Sequence, residues 1–229
     1  MDWHIEKARQ SAKRNAAGLD LERVLQVLAD RRDRVVRSSA ELRQVILEHL
    51  EVLSRWLTQE HSQKFALWNT TSSATRNPKR ETDICIWYAH GLSLLLQDVG
   101  GVINREVSVY ERPGLPGVRN DIRVQVSLPG ADVLTVVVEV KCAWNREILT
   151  GLSGQLVRRY LEPGGHQDGI YLAIWADPTS ISNASTRSRF AEHSRAVLKR
   201  RLLKQASEAA PLRIDAVVHD ITVRWPTLP

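Results

Sequence analysis

The sequence predicts an α/β domain with a central mixed sheet flanked by helices, preceded by a helical N-terminal region. Three observations predict it. Apolar residues recur at helical spacing through the first third of the chain, strand-like apolar segments are confined to the remainder, and helical segments interrupt those strands. Strands joined by short links pair antiparallel, whereas helix-linked strands can run parallel, so the sheet is expected to be mixed.

Within residues 1–75, Leu21, Val24, Leu25 and Leu28 mark a short helix. Ser38 followed by Glu41 is a capping-box pattern, and Leu42, Val45, Ile46, Leu50, Leu53 and Leu57 then form one apolar stripe. That stripe is wider than a solvated appendage needs. It is expected to pack on the following domain or on a second copy of the chain, with Trp56 in the contact. The small polar stretch "NTTSSAT", residues 69–75, reads as a linker that divides 1–75 from a domain over 76–229.

Asn77-Pro78 reads as an N-cap with proline at the first helical position. The helix it opens would bury Ile84, Trp87, Tyr88, Leu92, Leu95 and Val99 and stop at Gly100-Gly101. Strands are expected over 102–110, 121–128 and 133–140, then a helix over 147–161 ended by Pro163-Gly164-Gly165. The run "GIYLAIW", 169–175, is a buried strand; a basic helix and a last strand over 212–218 follow.

A chain of 229 residues can bury a full core, and 43% hydrophobic with 25% charged residues is ordinary for a soluble globular protein. No apolar run approaches the length of a membrane span, and the opening MDWHIEKARQ lacks the apolar stretch of a signal peptide. A cytoplasmic protein is therefore expected. Cys85 and Cys142 are too few and too separate for a disulfide framework or a zinc site. The net charge is +6. Between 187 and 204, seven cations face the single acid Glu192, a surplus equal to that of the whole chain. Such a segment suits an anionic polymer, or is a solvated helix face.

The chemistry concentrates in "LTVVVEVKCAW", residues 134–144. Side chains alternate along a strand, so Glu139 and Lys141 point the same way. If the link to the preceding strand has three residues, Pro129 to Ala131, residue 128 stands opposite 132 and Asp121 opposite Glu139. Asp121, Glu139 and Lys141 then share one face. Two carboxylates on adjacent strands can hold a hard cation such as Mg²⁺, and a neighbouring lysine can steady negative charge developing on a phosphate. The bland alternative is a salt bridge at a strand end.

"RND" at 119–121 followed by "VEVK" at 138–141 resembles the PD-(D/E)XK nuclease superfamily, the fold of many restriction endonucleases and junction resolvases. The likeness covers roughly 77–219, with Asn120 where the namesake proline would stand. It implies a restriction endonuclease-like core and a Mg²⁺-dependent endonuclease, with Mn²⁺ able to substitute. The implied metal ligands are Asp121 and Glu139, joined by Glu81 of the first core helix, and Lys141 is the implied catalytic lysine. Gln155, on the helix after the E-x-K strand, is the implied polar site residue. The partner implied is DNA, in a restriction or anti-phage role that the resemblance permits. An RNA-directed nuclease and a catalytically silent nucleic-acid-binding module of the same fold are the alternatives. Arg119, Arg195, Lys199 and Arg200 are the expected nucleic-acid contacts, the last three from the basic helix on the rim of the groove. Trp144 could stack a base or cap the strand edge.

Overall fold

Ser39–Gln59 forms one long helix, α1, and Leu42, Val45, Ile46, Leu50, Leu53 and Leu57 are its buried residues. Its N-terminus closes as a capping box: the Glu41 amide donates to Ser38 Oγ at 3.2 Å, and the Glu41 carboxylate accepts from the Arg37 amide at 2.8 Å. The structure, a computed structural model, describes residues 35–59, 61–72, 75–97, 101–110, 118–128, 130, 133–192 and 194–223. The short helix expected at 21–28 lies outside them. From Val36 onward the described residues belong to one compact unit. Thus α1, expected in a separate N-terminal region, is part of the same core as the sheet. Its stripe is consumed within its own chain, and Trp56 packs partly buried against that core.

The expected linker is instead a hairpin, β1 (Trp68–Ser72) and β2 (Thr75–Pro78), paired antiparallel. Its ends are anchored by tertiary bonds that local sequence cannot reveal. Trp68 is buried and its indole donates to the Ile221 carbonyl at 2.9 Å. Asn77 Oδ1 accepts from the Asn183 amide at 2.9 Å, so Asn77 ties the hairpin to a distant turn rather than capping a helix. Helix α2 (Glu81–Leu95) starts later, with Glu81 and Asp83 in its first turn complementing the helix dipole.

Five strands make the main sheet: β3 (Val102–Tyr110), β4 (Val118–Ser127), β5 (Val133–Cys142), β6 (Asp168–Trp175) and β7 (Arg213–Asp220). They lie in sequence order, β3–β4–β5 antiparallel and β5–β6–β7 parallel. The mixed sheet follows from the links. Gly130 in the β4–β5 link has φ +106°, a conformation that favours glycine. The register, from Ser127 opposite Val133 to Ile122 opposite Val138, is the one a three-residue link produces.

The segment after β5 forms a π-helix, Leu152–Leu161, rather than an α-helix; the Glu162 amide donates five residues back to Val157. Helix α3 (Arg195–Glu208) leads into β7. The two sheet faces are covered differently. Cys142, Ile174 and His219 lie abreast on β5, β6 and β7, and Tyr88 of α2 hydrogen-bonds His219 Nδ1 at 2.9 Å. Glu139 and Lys141 alternate with these residues and face the π-helix side with Gly169 and Tyr171. There a Cβ on Gly169 would lie 2.9 Å from Leu161 Cδ1, so glycine lets Leu156 and Leu161 of the π-helix pack directly on the strand. Among the described residues no helix is long and apolar enough to cross a membrane.

Burial of α1 gives a first prediction. Its six fully buried apolar side chains are worth about 1.5–3 kcal/mol each, a sum comparable to the stability of a whole domain. A shortened chain beginning at Ser73 is expected to lose its cooperative thermal transition. A shortened chain that stays monodisperse and melts like the full chain would refute the role given to α1.

Candidate active site

The end of β5 gathers four charged side chains. Lys141 Nζ lies 3.1 Å from Glu139 Oε1 and 3.2 Å from Glu81 Oε1. Glu139 is 1% exposed and Lys141 6%. Asp121, at the start of the β4–β5 ladder, accepts the Val140 amide at Oδ2 (2.9 Å) and lies close enough to Glu139 for their charges to repel. Thus Asp121, Glu139 and Lys141 come together, and the first turn of α2 brings Glu81 over the strand end.

Glu81 is held firmly. Its Oε2 accepts the Cys142 amide at 2.8 Å, and the Asn145 amide group donates to both of its oxygens at 3.0 Å. Among the described residues no three acidic, histidine or cysteine side chains converge with metal-ligand spacing. Glu81 is turned to Lys141 and the strand end.

Electrostatics separate the roles. Burial, then the neighbouring Asp121 charge and more weakly Glu81, push the Glu139 carboxyl up to about 8 against the pull of Lys141. For Lys141 burial works against the charge, but Glu139, Glu81 and Asp121 together outweigh it and hold the ammonium above its usual range. The lysine stays charged. Glu139 Oε2 is buried with no hydrogen-bond partner, an unmet acceptor beside a second carboxylate.

Gln155 is half-buried and not in this group: its amide donates to the exposed Glu147 at Oε2, 2.7 Å away. The π-helix explains the difference, because its wider turn buries Leu152, Leu156, Tyr160 and Leu161 on the inner face. Tyr160 is the residue of this helix whose hydroxyl feels the acids; burial first, then Glu139 and Asp121, raise its proton affinity. Gly151 is required at the helix entrance, since a Cβ there would meet the Tyr171 hydroxyl at 2.6 Å and Lys141 Cε at 3.4 Å.

A cleft of about 740 Å³ opens beside Glu81, lined by Lys79, Arg80, Arg146, Arg189 and Trp144 among others. Arg80, Arg146 and Arg189 are exposed. The sequence singles out Arg189 only as part of the basic segment 187–204 and does not point to Arg80 or Arg146, whose one signal is an arginine immediately before an acid in "KRE" and "NRE". The basic helix does not supply this rim. Arg195 pairs with Asp220 at 2.8 Å, and the exposed Lys199 and Arg200 of α3 do not line this cleft. Arg119 stands in β4, paired through its backbone with Ser108. Trp144 is buried against Phe190, so it packs as core.

No protein-family model, curated protein or solved structure matches the chain.

Proposed function

We propose that this chain is a metal-dependent nuclease of restriction endonuclease-like fold that hydrolyses phosphodiester bonds, with DNA as its substrate. One observation carries the reading. The buried Glu139 carboxylate, with an unpartnered oxygen, sits beside Asp121, and a single ammonium is shared with a third carboxylate, Glu81. A salt bridge for its own sake needs one acid, not three. The surplus of hard oxygen donors fits a cation such as Mg²⁺ or Mn²⁺, which Asp121 and Glu139 would hold. The order of helix, three antiparallel strands, helix and parallel strand also supports the resemblance read from the motif.

A bound Mg²⁺ supplies Lewis acidity towards a phosphate and eases deprotonation of water. The chain's own contribution is placement. Lys141, kept charged by Glu139 and Glu81, offsets negative charge that develops on the phosphoryl oxygens as water adds to phosphorus and one P–O ester bond breaks. Glu81 and Asn145 fix the lysine and the strand end. Arg80, Arg146 and Arg189 draw the phosphate backbone to the mouth.

Plasmid DNA and structured RNA, each incubated with the protein in Mg²⁺ or EDTA, test the reading. Cleavage of plasmid in Mg²⁺ and none in EDTA is expected. Cleavage of RNA alone would move the substrate assignment, and binding without cleavage of either would make the chain a silent binding module. Lys141→Ala is expected to abolish turnover yet leave most DNA affinity, since one phosphate contact is a small share of the total. Turnover at the parent rate would remove Lys141 from the mechanism.

A further inference from the structure

We propose that a second cleft, at the same sheet edge as the candidate site, binds a single-stranded DNA flank of the bond to be cut. Phe65 is its stacking platform, and Lys64, Arg76 and Arg187 are its phosphate contacts. This rests on the nuclease reading and adds the form of the substrate to it.

The placement follows from topology. Strands β5, β6 and β7 are parallel, so their C-terminal ends lie along one edge. The candidate site is at the end of β5, and Trp175 and Asp220, which end β6 and β7, line the second cleft, of about 1100 Å³. Neighbouring strands stand about 4.8 Å apart, so this cleft begins on the order of 5–10 Å from the site. Crevices at the carboxyl ends of parallel strands are the usual place for a ligand.

Its charge selects an anion. Lys64, Arg76, Arg187 and Arg195 line it against Asp177 and Asp220. Asp220 is paired with Arg195 and also accepts from Thr222. That leaves Lys64, Arg76 and Arg187 against Asp177, which keeps its charge while its Oδ1 accepts from the Thr179 amide and hydroxyl. Lys64 Nζ and Arg187 Nη1 donate to backbone carbonyls of Thr222, Ile181 and Ser182, which hold the cations in place without neutralising them.

One ridge joins the two clefts. Ser182 donates its amide to the Arg76 carbonyl at 2.8 Å, and Asn183 donates to Asn77, so β2 is tied to the start of the 182–189 segment. From this segment Arg187 lines the second cleft and Arg189 the cleft beside Glu81. A polyanion held by both arginines spans both clefts.

The aromatic decides the strand form. Phe65 is 40% exposed in the cleft wall, next to Lys64. A base offers its face to such a ring only outside a duplex, where its neighbours no longer cover it.

Binding is measured by fluorescence anisotropy with the full chain in EDTA, comparing a blunt duplex with the same duplex carrying a tail of about ten nucleotides. The tail is expected to raise affinity about five-fold or more, and Phe65→Ala to erase that gain. Arg76→Gln is expected to flatten the salt dependence of tail binding by about 0.7 in log–log slope, one single-strand phosphate contact. Thermal melts of both variants should match the parent, which keeps a folding defect from imitating the result. Equal affinity for tailed and blunt DNA, or a tail gain that survives Phe65→Ala, overturns the inference. Because the readout needs neither metal nor cutting, cleavage without a tail effect sinks this inference alone. A tail effect without cleavage sinks the nuclease reading and leaves the cleft assignment standing.

Discussion

Glu139→Gln is expected to abolish Mg²⁺-dependent cleavage while making the metal-free protein more stable at pH 8 than its parent. The two effects share one cause. In the fold the Glu139 carboxyl is held up at about 8, from an ordinary value of 4.5, by burial and by Asp121. Between those values the unfolded carboxyl is ionised and the folded one protonated. The folded state therefore binds more protons, and stability falls as pH rises through the window. At ~1.4 kcal/mol for each pH unit, the loss is on the order of 4 kcal/mol by pH 8. Glutamine does not titrate, so the variant escapes that loss. Nor does it strand the lysine, because Glu81 still lies 3.2 Å from Lys141 Nζ. Mg²⁺ should reverse the alkaline loss in the parent and leave the variant unmoved, since a cation favours the ionised carboxylate.

The salt-bridge reading makes the opposite forecast. If Glu139 exists to pair with Lys141, weakening it costs stability at every pH above the ordinary carboxyl value. Melts from pH 5 to 8.5 in EDTA, beside a plasmid assay in Mg²⁺, separate the two. A variant that melts lower at pH 8 and still cuts would end the case for Glu139 as a metal ligand.

Local pattern and short-range geometry carried much of this arrangement. The α1 stripe names all the residues that helix buries, because helical spacing alone decides which side chains share a face. The facing of Glu139 and Lys141 follows from strand alternation, and the approach of Asp121 follows from the parity of one short link. What stayed illegible depends on partners far away in sequence. The β1–β2 hairpin looks like a linker because its anchors, Ile221 and Asn183, lie more than a hundred residues downstream. Gln155 looks inward at α-helical spacing, and the π-helix instead presents Tyr160. The run of cations on α3 is conspicuous in sequence, yet the cleft beside Glu81 is lined by Arg80, Arg146 and Arg189, which come from three separate segments that only the tertiary fold assembles.

Asp168→Ala is expected to destabilise the protein by about 3–5 kcal/mol, the cost of leaving buried charge without its partner. For a unit of this size that lowers the melting temperature by roughly 10 °C. Asp168 is 0% exposed, as buried as Glu139, but its surroundings are the reverse. Oδ1 accepts from Arg43 and Arg213 at 3.2 and 2.9 Å; Oδ2 accepts from Ser39 and Arg213 at 2.5 and 2.6 Å. Arg43 also bonds Asp215, so α1 is clamped to the starts of β6 and β7. Burial alone would raise the Asp168 carboxyl, yet the Arg213 and Ser39 hydrogen bonds and the two arginine charges hold it below the usual range. Its stabilisation is therefore complete above the ordinary value of 3.8 and is lost as pH falls below it. Asp168→Ala should melt lower than the parent at pH 7 in either EDTA or Mg²⁺, and the gap should close towards pH 3. Activity per folded molecule should hold at low temperature, because nothing in the clamp touches the site. The two buried acids thus bend the stability profile from opposite sides, Asp168 in acid and Glu139 towards alkali. A fully satisfied carboxylate holds the fold, while an unsatisfied one costs stability that, under the proposed function, a bound cation returns. If Asp168→Ala and Glu139→Gln both lowered the metal-free melt at pH 8, that division between a structural acid and a site acid would fail.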